Sequence, residues 1–204
     1  MDGDKVLNAI ISVSDKSGVV ELARELRALG VNILSTGGTA KTLRQSGVDV
    51  MEISDYTGFP EIMDGRVKTL HPKVYGGILA RRSNAQDMDT IQRHDIKGID
   101  MVVVNLYPFR ETIRRQGVTI QDAIENIDIG GPAMIRAAAK NFQDVIVVVD
   151  PNTYNDIIKE MKQNNGHVSL KTRIALAEKA FAQTASYDTA ISEYLKGIIH
   201  NDCC

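Results

Sequence analysis

The chain has 204 residues, with 24 Lys or Arg against 26 Asp or Glu, so its formal net charge is -2. Hydrophobic residues make up 43% and charged residues 25%, which is typical of a globular protein. The near-neutral charge excludes a protein that binds nucleic acid or anionic lipid through a large basic surface, and no apolar run reaches the roughly 20 residues of a transmembrane helix.

The two ends of the sequence bear on localisation and on disulfide bonds. Residues 1–4 are acidic where a signal peptide would be basic, so we expect a cytoplasmic protein with neither a membrane nor a nucleic acid as partner. Cys203 and Cys204 are adjacent, and we expect them to be reduced in a frayed tail over residues 200–204. The four histidines lack the spacing of zinc sites, so we expect no metal site.

The first part of the chain alternates β-prone runs with helical patterns. Residues 6–13 predict a strand, and the apolar residues after the polar segment at 14–18 recur at helical spacing up to Gly30, which ends the helix. A second strand, a helix ending near Gly47 and a third strand follow. Residues 101–105 and 145–149 are two further β-branched runs. The predicted strands after the first are residues 31–35, 48–53, 101–105 and 145–149.

Strands separated by helices of about ten residues indicate βαβ crossovers. The sequence therefore predicts an α/β fold in which about five strands form a mainly parallel sheet with helices on both faces. Ligand-binding groups should lie at the carboxyl ends of the strands. Because no linker or internal repeat is visible, we expect one domain over residues 1–204.

Residues 55–77 are rich in Gly and Pro and predict a functional loop that packs on its own apolar residues. After the fourth strand we predict a turn at Pro108, a helix opened by Thr119, a break at residues 128–131 and a helix over 132–141. Two helices follow from residue 151, the second long and alanine-rich over 169–199.

Four segments collect polar groups that a core does not require, namely residues 14–16, 36–39, 66–72 and 128–131 with Lys140 beyond them. The Thr-Gly-Gly-Thr turn at 36–39 lies between a strand and a helix, where backbone N–H groups can bind an anion such as phosphate. The alternative is a tight turn in which Thr39 caps the helix. The turn has neither P-loop nor dinucleotide-fold spacing.

Residues 66–82 contain five Lys or Arg and no acidic residue. Such a run is usually a solvated basic face. Here the charges alternate with apolar residues, and Arg66 and Lys68 project to the same side of an extended segment. Together with the Gly-Gly turn they can form a binding site for a phosphorylated metabolite. Nucleic acid is disfavoured because only 5% of residues are aromatic.

Two other side chains, His71 and Tyr107, each have two interpretations, and Lys140 has one. His71 can serve a hydrogen-bonding role or pack structurally. Tyr107, just after a predicted strand, can anchor a loop or donate and accept a proton. Lys140 lies on a predicted helix, where the default for a lysine is exposure to solvent.

Six short motifs together resemble a known family. They are ISVSDK at 11–16, STGGTA at 35–40, GRVKTLHP at 65–72, NLYPF at 105–109, IDIGGP at 127–132 and RAAAKN at 136–141. In this order they closely resemble the IMP cyclohydrolase half of the bifunctional AICAR transformylase/IMP cyclohydrolase family. The family's larger transformylase half does not follow here, and both a stand-alone cyclohydrolase and an excised domain fit the sequence.

The resemblance implies a methylglyoxal-synthase-like fold and the last step of purine synthesis, in which the formamido-imidazole-carboxamide ribotide FAICAR closes its ring to IMP. It also implies a homodimer, with a transformylase domain or protein of the same pathway as a further partner. The reaction involves neither redox chemistry nor a difficult carbanion, so we expect no cofactor.

The resemblance also implies roles for individual residues. Lys68 would face the formyl oxygen, and Tyr107 would relay protons to the departing hydroxyl. Asp128 and Lys140 would hold and activate the carboxamide. The substrate-binding residues would be Ser14, Lys16, Thr36, Gly37, Gly38, Thr39, Arg66, Thr69, Asn105, Ile129 and Gly130.

A nucleotide-sensing regulatory module is the alternative function. The allosteric domain of carbamoyl phosphate synthetase resembles this fold and has a similar Thr-Gly-Gly-Thr turn. Such a module needs phosphate binding but not the four catalytic side chains, so their joint presence favours an enzyme. A methylglyoxal synthase is disfavoured because that family's catalytic acid motifs are not found.

Overall fold

The computed structural model of the protein describes residues 5–107 and 109–201. Five strands form one sheet in the order β3-β2-β1-β4-β5, and every neighbouring pair is parallel. The predicted α/β fold with a five-stranded parallel sheet is therefore confirmed. The strands are β1 (Asn8–Val13), β2 (Asn32–Ser35), β3 (Met51–Glu52), β4 (Met101–Asn105) and β5 (Ile146–Val148).

The centre of the sheet is the β1–β4 pair, in register from Ala9 opposite Met101 to Val13 opposite Asn105. All five residues of β4 are buried. Because successive side chains of a strand point to opposite faces, both faces of the sheet must be covered. The β-branched residues of β1 and β4 suit this doubly buried position.

Helices connect the strands and cover the sheet. In chain order they are α1 (Val19–Ala28), α2 (Gly37–Gln45), α3 (Ile53–Thr57), α4 (Pro72–Leu79), α5 (Ala85–Arg93), α6 (Phe109–Thr112), α7 (Ile120–Glu125), α8 (Gly130–Lys140), α9 (Tyr154–Gln163) and α10 (Leu170–Asn201). A single 3-10 turn, Pro151–Thr153, precedes α9. The long helix α10 packs against α8 and β5, so it covers the sheet as the alanine-rich pattern allows.

Several boundaries differ from the prediction. The third strand is two residues long instead of six, because it pairs with β2 only through Met51 and Glu52 at the edge of the sheet. Helix α8 begins at Gly130 and so includes part of the predicted break at 128–131. Helix α4 lies partly within the predicted loop, where Pro72 occupies its first turn. Helices α3, α5 and α6 were not predicted.

The remainder of the predicted loop forms a tight hairpin, here called the hairpin loop (residues 61–68). Ile62 and Val67 pair as an isolated antiparallel bridge. The chain turns between them through Met63, Asp64 and Gly65, which all have positive φ. At the last position φ is 86°, and glycine adopts this angle without steric strain because it has no Cβ. The hairpin loop holds the basic residues of this segment beside the carboxyl ends of the strands.

Two predictions fall partly outside the described residues. The turn at Pro108 and the tail residues 202–204, with both cysteines, are outside them, whereas α10 runs on to Asn201. Within residues 5–107 and 109–201, no helix combines the length and the apolar character needed to cross a membrane.

Candidate active site

A cavity of about 1360 Å³ opens at the carboxyl ends of β1, β2 and β4. The hairpin loop, the end of α7 and the start of α8 form its other walls. Most of the predicted site residues line it, although they come from segments far apart in the sequence. Those that do are Ser14, Lys16, Thr36, Arg66, Lys68, Thr69, Asn105, Tyr107, Asp128, Ile129 and Gly130.

The amino-terminal end of α2 faces this cavity. Thr36 is its N-cap, but the Thr36 hydroxyl makes no capping bond and lies 3.3 Å from the Ser12 hydroxyl. First-turn amides have no acceptor within a helix. Gly37 and Gly38 do not line the cavity, but a Cβ on Gly37 would lie 3.9 Å from Lys68 Nζ and one on Gly38 3.8 Å from Lys16 Nζ. The helix start and both lysines therefore lie close together.

The alternative interpretation, in which Thr39 caps the helix, is wrong because Thr36 occupies the N-cap position of α2. The Thr39 side chain is buried, and its hydroxyl accepts from Val13 N at 3.1 Å and donates to Val13 O at 3.0 Å. Its hydroxyl therefore fastens the start of α2 to the end of β1. This explains why Thr39 is outside the cavity although it belongs to the turn.

We expect Thr39→Val to destabilise the fold. Valine has the same shape, but both Val13 groups would lose their buried partner, at a cost of about 1–3 kcal/mol. Denaturant unfolding followed by circular dichroism measures this change. Thr42→Val is the matched control, because the Thr42 hydroxyl on the same helix is exposed and bonds only to Gly38 O. Equal stabilities of the two variants would contradict the role given to Thr39.

Asn105, at the end of β4, holds the loop that follows β1. Its Oδ1 accepts from Ser14 N at 2.6 Å and Asp15 N at 2.9 Å, and its Nδ2 donates to Asp15 O at 2.8 Å. Lys16 Nζ donates to Val13 O at 3.1 Å. Asn105 thus positions the loop that carries Ser14 and Lys16, and most of its own hydrogen-bonding capacity is already used.

The hairpin loop places two cations at the cavity. Lys68 Nζ lies 3.2 Å from Glu61 Oε1, and these two residues are opposite each other beside the Ile62–Val67 bridge. Arg66 forms a two-pronged pair with Glu125 at the end of α7. The hydrogen bonds of this pair raise the pKa of Arg66 and lower the pKa of Glu125.

The rest of the basic run at residues 66–82 serves other purposes. Arg82 donates to the carbonyls of Gly77, Ala80 and Ile99 and pairs with Asp100. Arg81 pairs with Asp87 through two hydrogen bonds. His71 caps α4, accepting at Nδ1 from Lys73 N at 3.1 Å, so its role here is structural.

Asp128 lies half-buried just before α8 and accepts from Gly131 N at 2.8 Å. Burial raises its pKa, and the bond from Gly131 and the charge of Lys68 oppose this rise. The Asp128 backbone N–H donates to the Tyr187 hydroxyl of α10 at 2.8 Å. Tyr107 lines the cavity with 37% of its surface exposed.

The start of α8 packs closely against the loop that precedes α4. A Cβ on Gly130 would lie only 2.8 Å from Thr69 Oγ1, so a larger residue would push these segments apart. Thr69 is itself buried. Ile129, in contrast, is 60% exposed and lines the cavity.

Lys140 is the predicted catalytic residue that the chain does not bring to the cavity. It is the exposed last residue of α8, whereas Asp128 precedes the first turn. At 1.5 Å per residue the helix separates its ends by about 15 Å. Asp128 and Lys140 of the same chain therefore do not meet, because they lie at opposite ends of α8.

Glu61, Glu125 and Tyr187 contact site residues without having been predicted. An antiparallel turn centred between residues 64 and 65 would have placed Glu61 opposite Lys68, but the Gly and Pro content suggested an irregular loop. No local signal joins Glu125 to Arg66 or Tyr187 to Asp128. Among the described residues no group of three or more His, Cys, Asp or Glu is arranged to hold a metal ion.

Comparisons with known proteins agree with the motifs. The family model described as MGS-like domain matches residues 18–133, and that described as AICARFT/IMPCHase bienzyme matches residues 138–202. The chain is 58% identical over 197 residues to the bifunctional purine biosynthesis protein PurH of Acetivibrio thermocellus. This match covers 97% of the chain but 38% of the relative, so the chain spans well under half of that protein's length.

A solved structure is matched over nearly its whole chain. The crystal structure of ForH superposes with a TM-score of 0.86 at 40% identity, over 93% of this chain and 97% of that chain. The predicted methylglyoxal-synthase-like fold and the resemblance to the IMP cyclohydrolase half of the bifunctional family are thus confirmed. The chain belongs to the MGS-like domain family, and its residues 138–202 match the model described as AICARFT/IMPCHase bienzyme.

Proposed function

We propose that the protein is an IMP cyclohydrolase that closes the ring of FAICAR to give IMP and water. One observation carries the proposal: Lys68, Tyr107 and Asp128 line a single cavity together with cations suited to a phosphate. The names of the matching family and of PurH, a purine biosynthesis protein, support the same reaction.

The reaction makes limited demands on an enzyme. The attacking carboxamide and the formyl group already occupy neighbouring ring carbons, so the substrate itself supplies most of the proximity. The carboxamide nitrogen is a poor nucleophile because its lone pair is delocalised. Its attack on the formyl carbon builds an oxyanion, which must then leave as water. Catalysis therefore needs a base near the amide and cationic or N–H donors near the formyl oxygen.

Lys68 is the donor that we assign to the formyl oxygen. Its Nζ projects from the hairpin loop toward the start of α2, held by Glu61 at 3.2 Å. An ammonium in this place stabilises the developing negative charge in the transition state more than it stabilises the neutral formyl group.

Asp128 is the group that we assign to the carboxamide. Because burial raises its pKa, its carboxylate is a stronger base than an exposed aspartate. Gly131 N holds one carboxylate oxygen, which leaves the other to accept a proton from the amide nitrogen. Lys68 Nζ gives a proton to the oxyanion, and the Tyr107 phenol protonates the resulting hydroxyl as it departs as water and the bond to the former formamide nitrogen becomes double. That nitrogen gives its proton back to the Tyr107 phenolate, and the proton held by Asp128 passes to Lys68 through solvent, so the two protons lost by the substrate nitrogens leave in the water.

The phosphate and ribose belong beside the start of α2, next to Lys68, whose charge also acts on Asp128 further along the cavity. Lys16, Arg66 and the first-turn amides of α2 are donors there, and Thr36 adds a hydroxyl. Amides at a helix start favour an anion because the helix dipole adds to their hydrogen bonds.

We expect Arg66→Ala to weaken the binding of phosphorylated ligands. Loss of a charge-assisted hydrogen-bonding group costs about 1.5–3 kcal/mol, so the Kd for IMP should rise about 10-fold to 100-fold. Isothermal titration with IMP measures this, and inosine, which lacks the phosphate, is the control ligand. An unchanged Kd for IMP would contradict the phosphate role of Arg66.

We further propose that the protein acts as a homodimer in which Lys140 of one copy reaches the cavity of the other. Lys140 lies about 15 Å along α8 from the end that carries Asp128, so its side chain cannot reach the cavity of its own chain. Exposed apolar side chains on α10 supply a contact surface: Leu170, Ile174, Phe181, Leu195 and Ile199.

Mixing two inactive variants tests this arrangement. If Lys68 and Lys140 act across the interface, Lys68→Ala and Lys140→Ala chains refolded together in equal amounts should recover about one quarter of the wild-type activity. Half of the dimers are then mixed, and each has one intact site. If both residues act within one chain, no mixed dimer has an intact site. Activity no higher than that of the separate variants would contradict the proposal.

The surroundings of the reaction follow from the same assignment. We propose that the chain works as one domain in the cytoplasm, without a cofactor, and that a formyl transfer to AICAR supplies its substrate. The transformylase can be part of a longer chain, as the 38% coverage of PurH suggests, or a separate protein.

The direct test mixes the purified protein with FAICAR and follows the appearance of IMP by absorbance. We expect turnover with FAICAR and none in a parallel reaction with AICAR and a formyl donor. IMP binding without turnover would favour the nucleotide-sensing module over the enzyme.

A further inference from the structure

The cavity is built as a nearly neutral site, although the proposed substrate is an anion. Among the described residues that line it, three side chains are cationic and three are acidic: Lys16, Arg66 and Lys68, and Asp64, Glu125 and Asp128. A phosphate monoester carries between one and a half and two negative charges at neutral pH. A neutral lining offers little net attraction, so release of a cation from its carboxylate would strengthen the binding of an anion.

Arg66 is the cation most fully engaged with a carboxylate. Its Nε donates to Glu125 Oε2 at 3.2 Å, and its Nη2 donates to the other oxygen of the same carboxylate. Gln121, one turn earlier on α7, donates to Glu125 Oε1 at 2.9 Å and so fixes the carboxylate in place. Two of the N–H donors of the guanidinium are therefore already hydrogen-bonded to a carboxylate before any ligand binds.

The pair joins two walls of the cavity. Arg66 lies on the hairpin loop and Glu125 on α7, two walls that are 59 residues apart in the sequence. Their side chains are 62% and 44% exposed. Exposed ion pairs are weak and screened by salt, so a phosphate can replace Glu125 at small cost. The lowered pKa of Glu125 means that the carboxylate is ionised at neutral pH and competes in full.

We propose that Glu125 competes with the substrate's phosphate for Arg66 and thereby limits how tightly the site holds phosphorylated ligands. The proposal rests on the proposed function, since it takes Arg66 as a phosphate ligand. On binding, the guanidinium exchanges a carboxylate for a phosphate, which presents the same two-oxygen edge. Glu125 stays beside the phosphate and repels it, which favours release of a phosphorylated product.

Glu125→Gln tests the competition because glutamine keeps the shape and removes the charge. We expect the Kd for IMP, measured by isothermal titration at low salt, to fall about threefold to tenfold. The Kd for inosine should not change. Glu25→Gln is the matched control, because Glu25 pairs with Lys162 at 2.7 Å on a different surface and is similarly exposed, at 41%.

A double variant isolates the pair. Arg66→Ala/Glu125→Gln should bind IMP no more than about twofold more tightly than Arg66→Ala alone, because the competition acts mainly through Arg66. Weaker IMP binding by Glu125→Gln would show that Glu125 orients Arg66 for the phosphate, and would overturn the proposal. An unchanged Kd, or equal tightening in Glu25→Gln, would also overturn it. If the unsubstituted protein does not bind IMP, the proposed function fails and this inference fails with it.

Discussion

Lys68→Ala should lower kcat for the conversion of FAICAR to IMP by about 100-fold to 1000-fold, the loss typical of removing one oxyanion donor. Its ammonium lies at the meeting point of the hairpin loop and the start of α2. The KM should change less than kcat, because the interaction is stronger in the transition state than in the ground state. Steady-state kinetics followed by IMP absorbance measures both constants.

The fold should tolerate this change. The Lys68–Glu61 pair is partly exposed, at 34% and 46%, and exposed pairs contribute less than about 1 kcal/mol. Lys162→Ala is the matched control, since it removes an exposed lysine that pairs with Glu25 away from the cavity. Near-normal turnover by Lys68→Ala would remove Lys68 from the mechanism.

Asp128→Asn should lower kcat by about 100-fold or more, since general-base catalysis contributes that amount. Asparagine keeps an oxygen that accepts from Gly131 N but cannot take up a proton at neutral pH. The same variant should not be less stable than the unsubstituted protein, so lost activity cannot be ascribed to unfolding.

The sign of the stability change follows from the pKa of Asp128. Burial raises it, which means that the ionised carboxylate is less favourable in the folded chain than in the unfolded one. This penalty is present above the raised pKa and absent below the ordinary value of 3.8. Asp128→Asn should therefore raise the melting temperature at pH 7 and lose this advantage as the pH falls toward 4. A lower melting temperature at pH 7 would contradict the account of this carboxylate.

The sheet could be predicted from the sequence because its central strands are doubly buried. The apolar run at residues 101–105 coincides with β4, and its polar end residue, Asn105, lines the cavity. The edge strand β3 was predicted too long, since Val48 and Val50 are buried without pairing. An apolar residue in a sequence indicates burial, but the length of a strand also depends on where its hydrogen bonds to the neighbouring strand end.

The candidate site was predictable where it depends on strand ends and motifs, but not where it depends on long-range pairing. Parallel strands bring Ser14, Thr36 and Asn105 to one edge of the sheet, as their positions after strands imply. The Thr39 hydroxyl bonds back to β1, which a turn motif does not reveal. The Arg66–Glu125 pair joins residues 59 positions apart, and the distance of Lys140 from Asp128 depends on where α8 begins.

A crystal structure of the protein with IMP bound tests the central claim most directly, that one cavity holds the phosphate at one end and the reacting ring at the other. We expect the phosphate within hydrogen-bonding distance of Arg66 and the first-turn amides of α2, and the purine ring against Lys68, Tyr107 and Asp128. IMP bound elsewhere, or bound with its ring beyond the reach of these three side chains, would contradict the account.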